Sequence, residues 1–388
     1  MRKFLVLFAL GMLGAGLLAT TGSAGTTSGS AGSCGAQALG NGRIGGVIKA
    51  QEIASSGSCA VHNAGDPFSN GDPPLIWWGG PVMASSASNP IVVTPIFWNP
   101  PGGGHPMNTD YKRIVTQYLS NVAAASGTNT NVFSVPTEYY GSNGSISYQV
   151  KVGTPIDDRN PLPANGNTVA PNDTSQIYAD GTGYNACIDD DQITAEIQRV
   201  ITAGNLPQND YSHIYVMYTP KHVESCFYPG SSTSHNGCTI NHQVTADYCA
   251  YHSMMGSNWP DFGTIYANMA YPIYASPVGY TCGSDAGGFL GGLQSPNHNL
   301  DADTEISPTS HEIIEAITDP NVYNGWYDDF GFEIGDDCAY VWGATAGKFG
   351  QEYNQVINGQ TYLTQEELSN KDFADTGGGC VPSESAAG

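Results

Sequence analysis

The chain has 388 residues, with 35 Asp and Glu against only 12 Lys and Arg, and a formal net charge of −23 at pH 7. The imbalance comes from a shortage of basic residues, so nucleic acid and other polyanions are excluded as partners, because phosphate backbones are held by Lys and Arg. The total charge alone fits an exported protein kept soluble by its acids; only a local cluster of them argues for a metal.

The first 25 residues read as an export signal. Arg2 and Lys3 precede the apolar run "FLVLFALGMLGAGLLA", and "TTGSAG" fits cleavage after Ala24. The run is short for a membrane span, and no later stretch approaches the roughly 18 to 20 apolar residues that one needs. The expectation is a secreted protein with no membrane association once the signal is removed. Residues 26–73 are rich in Gly, Ser and Thr and predict a flexible lead-in. Residues 74–383 then form one domain, long enough for a sizeable core.

Along that domain, "NPIVVTPIFW" (89–98) reads as a buried strand, and residues 108–126 as an amphipathic helix capped by Asn108 or Thr109. "SISYQVKVG" (145–153) alternates as a strand. Residues 189–207 open with three acids, close on Gly then Pro, and place Ile193, Ile197, Val200 and Ile201 on one face of a second helix. "SHIYVMYTP" (212–220) and "GTIYANMAYPIYA" (263–275) read as strands, separated by an insertion that carries Cys226, Cys238 and Cys249. The order predicts an α/β fold, a mixed sheet with packed helices and a disulfide-laced insertion.

All nine Cys lie beyond the signal, and none is spaced as Cys-x-x-Cys, so disulfides are expected rather than a zinc ribbon or a redox pair. Cys226, Cys238 and Cys249 suggest a stapled loop, and Cys338 with Cys380 a tie between the tail and an acidic segment.

"TSHEIIEAITDP" (309–320) reads as a helix with His311 and Glu315 four apart on one face and Ile313, Ile314, Ala316 and Ile317 opposite. Spacing alone favours the wet face of an ordinary surface helix. Three features shift the reading towards a metal. The pattern His-Glu-x-x-Glu is one residue from the His-Glu-x-x-His of zinc hydrolases. Glu333 follows as a third ligand from a later element. Trp326, Tyr327, Phe330 and Phe332 interleave with Asp328, Asp329, Glu333, Asp336 and Asp337, so some of these acids sit in a dry setting. The candidate ligands are therefore His311, Glu315 and Glu333, with Asp336 as a further ligand or as the acceptor that orients His311, and with Glu312 as the base. Zinc is the expected ion, with calcium, manganese or iron open on ligand type. His252 and Tyr327 are candidates for a supporting or substrate-contacting role, His252 being otherwise an ordinary loop residue. Asp301, Asp303 and Glu305 alternate like a calcium loop, but Ile306 stands where an EF-hand needs Gly, so they are read as acids near the helix N-terminus.

"GGPVM", "NPIVVTPIFW", "DYCAYH", "SHEIIEAITDPNVYNGWYD", "EIGDDCA" and "YNQVINGQTYLTQEELSN" resemble the EXORDIUM-type, or phosphate-induced, family of secreted proteins over residues 79–380. The resemblance maps that family's Ser-His-Glu stretch onto Ser310, His311 and Glu312, and its acidic stretch onto Glu333, Asp336 and Cys338. A narrower likeness, to zincin metallopeptidases, rests on the helix motif, the downstream Glu and the sheet-before-helix order, with a missing second His as the departure. It implies a zincin-like catalytic domain that hydrolyses a peptide or related amide, acting on a peptide or cell-wall substrate outside the cell. The reading from another class is a non-catalytic wall- or glycan-binding protein with a structural ion, which the 22 Tyr and six Trp would suit.

Overall fold

The computed structural model describes residues 37–38, 44–48, 51–52, 74–101, 107–163, 186–227, 237–239, 248–258, 262–272, 280–282, 290, 292–322, 324–328, 331–376 and 379–384. Residues 1–25, Cys34, Cys59, Asp329 and Phe330 lie outside them. An eight-stranded sheet organises the chain: β1 (Gln37–Ala38), β2 (Ile44–Ile48), β3 (Ile91–Trp98), β4 (Val150–Val152), β5 (Ile156–Asp158), β6 (His213–Tyr218), β7 (Ala250–Asn258) and β8 (Phe262–Met269). Its order is β1-β2-β7-β8-β6-β3-β4, with β5 also on β3. The pairs β8-β6, β6-β3, β3-β4 and β3-β5 are parallel, whereas β2-β7 and β7-β8 are antiparallel.

Alternation along the strands builds two cores, because successive side chains leave opposite faces. Ile214, Val216 and Tyr218 of β6 join Ile91, Val93 and Phe97 of β3 and Ile265, Ala267 and Met269 of β8 on one face. Tyr215 and Met217 join Ile96, Trp98, Tyr251 and Tyr266 on the other. Helices α1 (Thr109–Ala124) and α3 (Leu300–Thr318) cover the first face, and α2 (Asp190–Gly204) covers the second with Ile193, Ile197, Val200 and Ile201. The strand and helix order makes this a mixed α/β fold, as the sequence predicts.

The caps follow local chemistry. Asn108 accepts from the Asp110 N–H at the start of α1. Asp189 and Gln192 form a reciprocal capping box at the start of α2. That helix ends on Gly204, and Asn205, with a left-handed backbone (φ 47°), caps it.

Three expectations change. The strand expected over 145–153 reaches the sheet only at Val150–Val152, because Ser147 is drawn to the Ser85 backbone and Tyr148 donates to the Val122 carbonyl at the end of α1. The lead-in expected over 26–73 contains β2, which pairs Gly46, Val47 and Ile48 with His252, Tyr251 and Ala250. The insertion expected between β6 and β8 contains β7 itself. Its stapled part is the Cys226–Cys238 disulfide, while Cys249 pairs with Cys282 and Cys338 with Cys380.

Helix α3 starts nine residues earlier than the motif suggests, at Leu300, with Asn299 as its cap and Pro308 within it. Residues Ala302 to Thr318 are all buried, so the helix has no wet face. One turn in, Glu305 is buried and accepts the Tyr111 hydroxyl at 2.9 Å. Burial pushes its carboxyl up to about 8, the nearby Asp301 adding to the effect against the Tyr111 hydrogen bond. An acid whose pKa rises on folding takes up protons, so its contribution is full below its unfolded value near 4.5 and is lost as pH rises towards 8. Glu305→Gln keeps an acceptor for Tyr111 and is expected to remove a loss of about 1.4 kcal/mol per pH unit across that window. Urea melts of the variant should show higher stability than the native protein at pH 8 and no gain at pH 4; equal slopes would refute the assignment.

Candidate metal centre

Three elements aim ionisable side chains at one buried volume. Helix α3 supplies His311, Glu312 and Glu315; strand β7 supplies His252; the segment after Trp326–Tyr327 supplies Glu333 and Asp336. The first four and Glu333 are at most 1% exposed and Asp336 is 8% exposed, so none is freely solvated.

His311 Nε2 lies 2.9 Å from Glu315 Oε1 and 3.8 Å from Asp336 Oδ1. The 2.9 Å approach lacks hydrogen-bond geometry, and both ring nitrogens of His311 are without a hydrogen-bond partner. Glu315 Oε1 instead accepts from the Asp336 backbone N–H at 3.1 Å, leaving Oε2 unpartnered. Both oxygens of Glu333 are unpartnered as well. Buried polar atoms are nearly always satisfied, and these unpartnered atoms belong to groups whose spacing is capable of holding a metal ion.

His252 is the residue that sequence reasoning placed in a loop. It sits at 0% exposure on a central strand, with Nδ1 3.2 Å from Glu312 Oε2 and 3.6 Å from Glu315 Oε2. Nε2 lies 3.1 Å from the Asp319 carbonyl and 3.6 Å from Glu333 Oε1. Donation from Nε2 to that carbonyl leaves the Nδ1 lone pair facing the carboxylates, the second-sphere arrangement that orients ligating histidines. The available signal was the run "AYHSMM", whose apolar flanks suit a strand better than a loop.

Taken as ionisable groups alone, the cluster is held by opposed charges. Burial works against the charge on His311, but Glu315 beside it raises its pKa to about 10. Burial likewise works against ionised Glu315, but the His311 charge lowers it to about 2. Burial pushes Glu333 and Asp336 well above the usual carboxylate range, and Glu312 upward. His252 is raised despite burial, chiefly by Glu333.

No family model, curated protein or solved structure matches this chain. The geometry must therefore speak for itself. Among the described residues, three groups bring potential ligand atoms within 4.8 Å of one another: His311, Glu312 and Glu315; His252, Glu315 and Glu333; and Cys187, Glu224 and Cys226. The last is compromised because Cys226 is bonded to Cys238. The first two share Glu315 and form one centre whose imidazole and carboxylate donors are those of divalent-cation sites. Tyr327 is placed differently: its ring stacks on Trp78 at 4.9 Å, and its backbone pairs with Ile76.

The Glu333–Asp336 segment is fixed from several sides. Its carbonyl at Gly335 accepts from Gln365 Nε2 at 2.7 Å, Leu368 N–H bonds Ile334, and Cys338 is tied to Cys380. Gly335 lies over the His311 ring so closely that a Cβ there would stand 2.6 Å from Nδ1. Gly335→Ala is therefore expected to displace this segment, at about 1–3 kcal/mol in stability and with weakened metal retention. A thermal melt and elemental analysis check it; unchanged values in both would show that the close approach carries no weight.

Proposed function

We propose that this chain is an exported, EXORDIUM-type metalloprotein whose centre is of the zinc-hydrolase kind, acting on a peptide or related amide bond. The observation that carries the reading is the meeting of two buried ligand groups on Glu315, His311 with Glu312 in one and His252 with Glu333 in the other, with atoms of His311, Glu315 and Glu333 lacking hydrogen-bond partners. The zincin likeness gains support from a ligand-bearing helix that follows the β7-β8 antiparallel pair and packs against it. Secretion rests on the signal-like first 25 residues and the absence, among the described residues, of a helix long and apolar enough to cross a membrane.

A divalent cation supplies Lewis acidity and lowers the pKa of a water beside it. Glu315 is common to both ligand groups; His311 and Asp336 would hold the ion from one side of it, and Glu333, which the structure places with His252 rather than with His311, from the other. Glu312 is the proton carrier. Its carboxylate lies within the cluster with Oε2 3.2 Å from His252 Nδ1, and burial raises its pKa, which favours its taking up a proton. His252 packs against Glu312 and fixes the place of its carboxylate in the cluster.

The enclosure of the ligands favours a second reading, a structural ion in an extracellular wall- or glycan-binding protein. Glu312→Gln separates the two. A hydrolase loses turnover of a peptide library by 100-fold or more, with metal content unchanged. A structural site gives no turnover in either protein and a variant that differs only in stability.

A further inference from the structure

Two ligand groups, not one, converge on Glu315, and its two oxygens face different histidines. Oε1 lies 2.9 Å from His311 Nε2, and Oε2 lies 3.6 Å from His252 Nδ1. The same His311 nitrogen lies 3.8 Å from Asp336 Oδ1, and the other nitrogen of His252, Nε2, lies 3.6 Å from Glu333 Oε1. The histidines come from different elements, α3 and β7, with the Glu315 carboxylate between them. We propose that the centre holds two divalent cations bridged by Glu315, one bound by His311 and Asp336 and the other by His252 and Glu333. The inference rests on the metal-centre reading above and deepens it.

Charge supports the count. Glu312, Glu315, Glu333 and Asp336 are four carboxylates in a volume where none exceeds 8% exposure. Glu367, buried with both oxygens unpartnered, acts on the same cluster, so a single divalent ion beside neutral imidazoles would leave excess negative charge buried, a costly arrangement. A second ion reduces that excess. Unpartnered atoms occur in both ligand groups: His311 Nε2 beside Glu315 Oε1, and Glu315 Oε2 and the Glu333 oxygens in the group with His252. Carboxylate-bridged ion pairs are an established way of clamping two oxygens of a reacting group. The substrate class this adds is one that presents two oxygens, or an oxygen and an attacking water, to adjacent ions.

The test is metal stoichiometry on the full chain, stripped with chelator, reloaded with zinc, desalted and analysed by elemental mass spectrometry. Native protein should retain two zinc per chain, and His252→Ala and His311→Ala about one each. Loading with manganese should give an exchange-coupled electron paramagnetic resonance signal in the native protein and an isolated-ion signal in either variant. One zinc per chain, lost in both variants, would overturn the two-ion assignment and leave a single metal centre standing. No retained zinc in folded native protein would overturn both readings. If a variant does not fold by circular dichroism, the native stoichiometry and the manganese spectrum decide alone.

Discussion

Glu315→Ala is expected to lower metal content by an order of magnitude or more, the largest effect of any single substitution in the centre. Glu315 is common to both ligand groups, and its Oε1 also accepts the Asp336 backbone N–H that seats the following ligand segment. Truncation removes a ligand charge and orphans that N–H together, and a buried unsatisfied group costs about 1–3 kcal/mol by itself. Glu315→Gln separates the two losses, since its amide oxygen still accepts from Asp336 while the charge is gone. Elemental analysis should find both variants depleted, with Gln nearer the native melting temperature. Native metal content in the Ala variant would remove Glu315 from the ligand set.

Stripping the metal should change not only the stability but the direction in which it responds to pH. In stripped protein, Glu333 and Asp336 are raised above their unfolded values, and His311 is raised to about 10. Each of these contributes stability that is full at low pH and lost as pH climbs through the folded value. Glu315, lowered to about 2, contributes the opposite way, but its contribution disappears only in strong acid. Stripped protein should therefore weaken steadily from about pH 5 upward. Loaded protein should not, because ligation requires the deprotonated groups and grows tighter as protons leave. At free metal near a thousand times Kd the stabilisation is about 4 kcal/mol, on the order of 10 °C in melting temperature. The gap between loaded and stripped melts should widen from pH 5 to pH 8; a gap that is constant or narrows would contradict ligation by these residues.

Particular residues show where the sequence was readable. The periodicity of Ile193, Ile197, Val200 and Ile201 and the acids at 189–191 define α2 because local chemistry decides both its buried face and its start. Cys338 and Cys380 were paired from their positions beside the acidic segment and the tail. Other features depend on what the chain meets at long range. The carboxylates of α3 resemble a solvated face in sequence, since burial of a charged face depends on partners supplied by β7 and the Glu333–Asp336 segment. His252 was hidden because the disulfide cysteine beside it, Cys249, suggests a stapled loop, while the pairing that makes β7 a strand comes from β2 and β8. The beginning of α3 was missed because the motif at 309–320 alone marks the helix in sequence, with Asp301, Asp303 and Glu305 placed before it; in the structure Asp303 collects Ser295, Asn297 and Asn299 around the helix start and holds the preceding turn.

Strand β2 has a bearing on how this protein can be trimmed. By composition, residues 26–73 look dispensable, and a shortened chain beginning at Pro74 is the natural one to crystallise. Such a chain would lack the backbone that pairs Gly46 with His252 and Ile48 with Ala250. It would turn β7 into a raw edge whose N–H and C=O groups invite another molecule, and strand-to-strand aggregation is the usual result. The bare edge would be the very strand that carries His252, so a truncated sample that proved sticky and metal-poor would be reporting on its missing neighbour rather than on the centre.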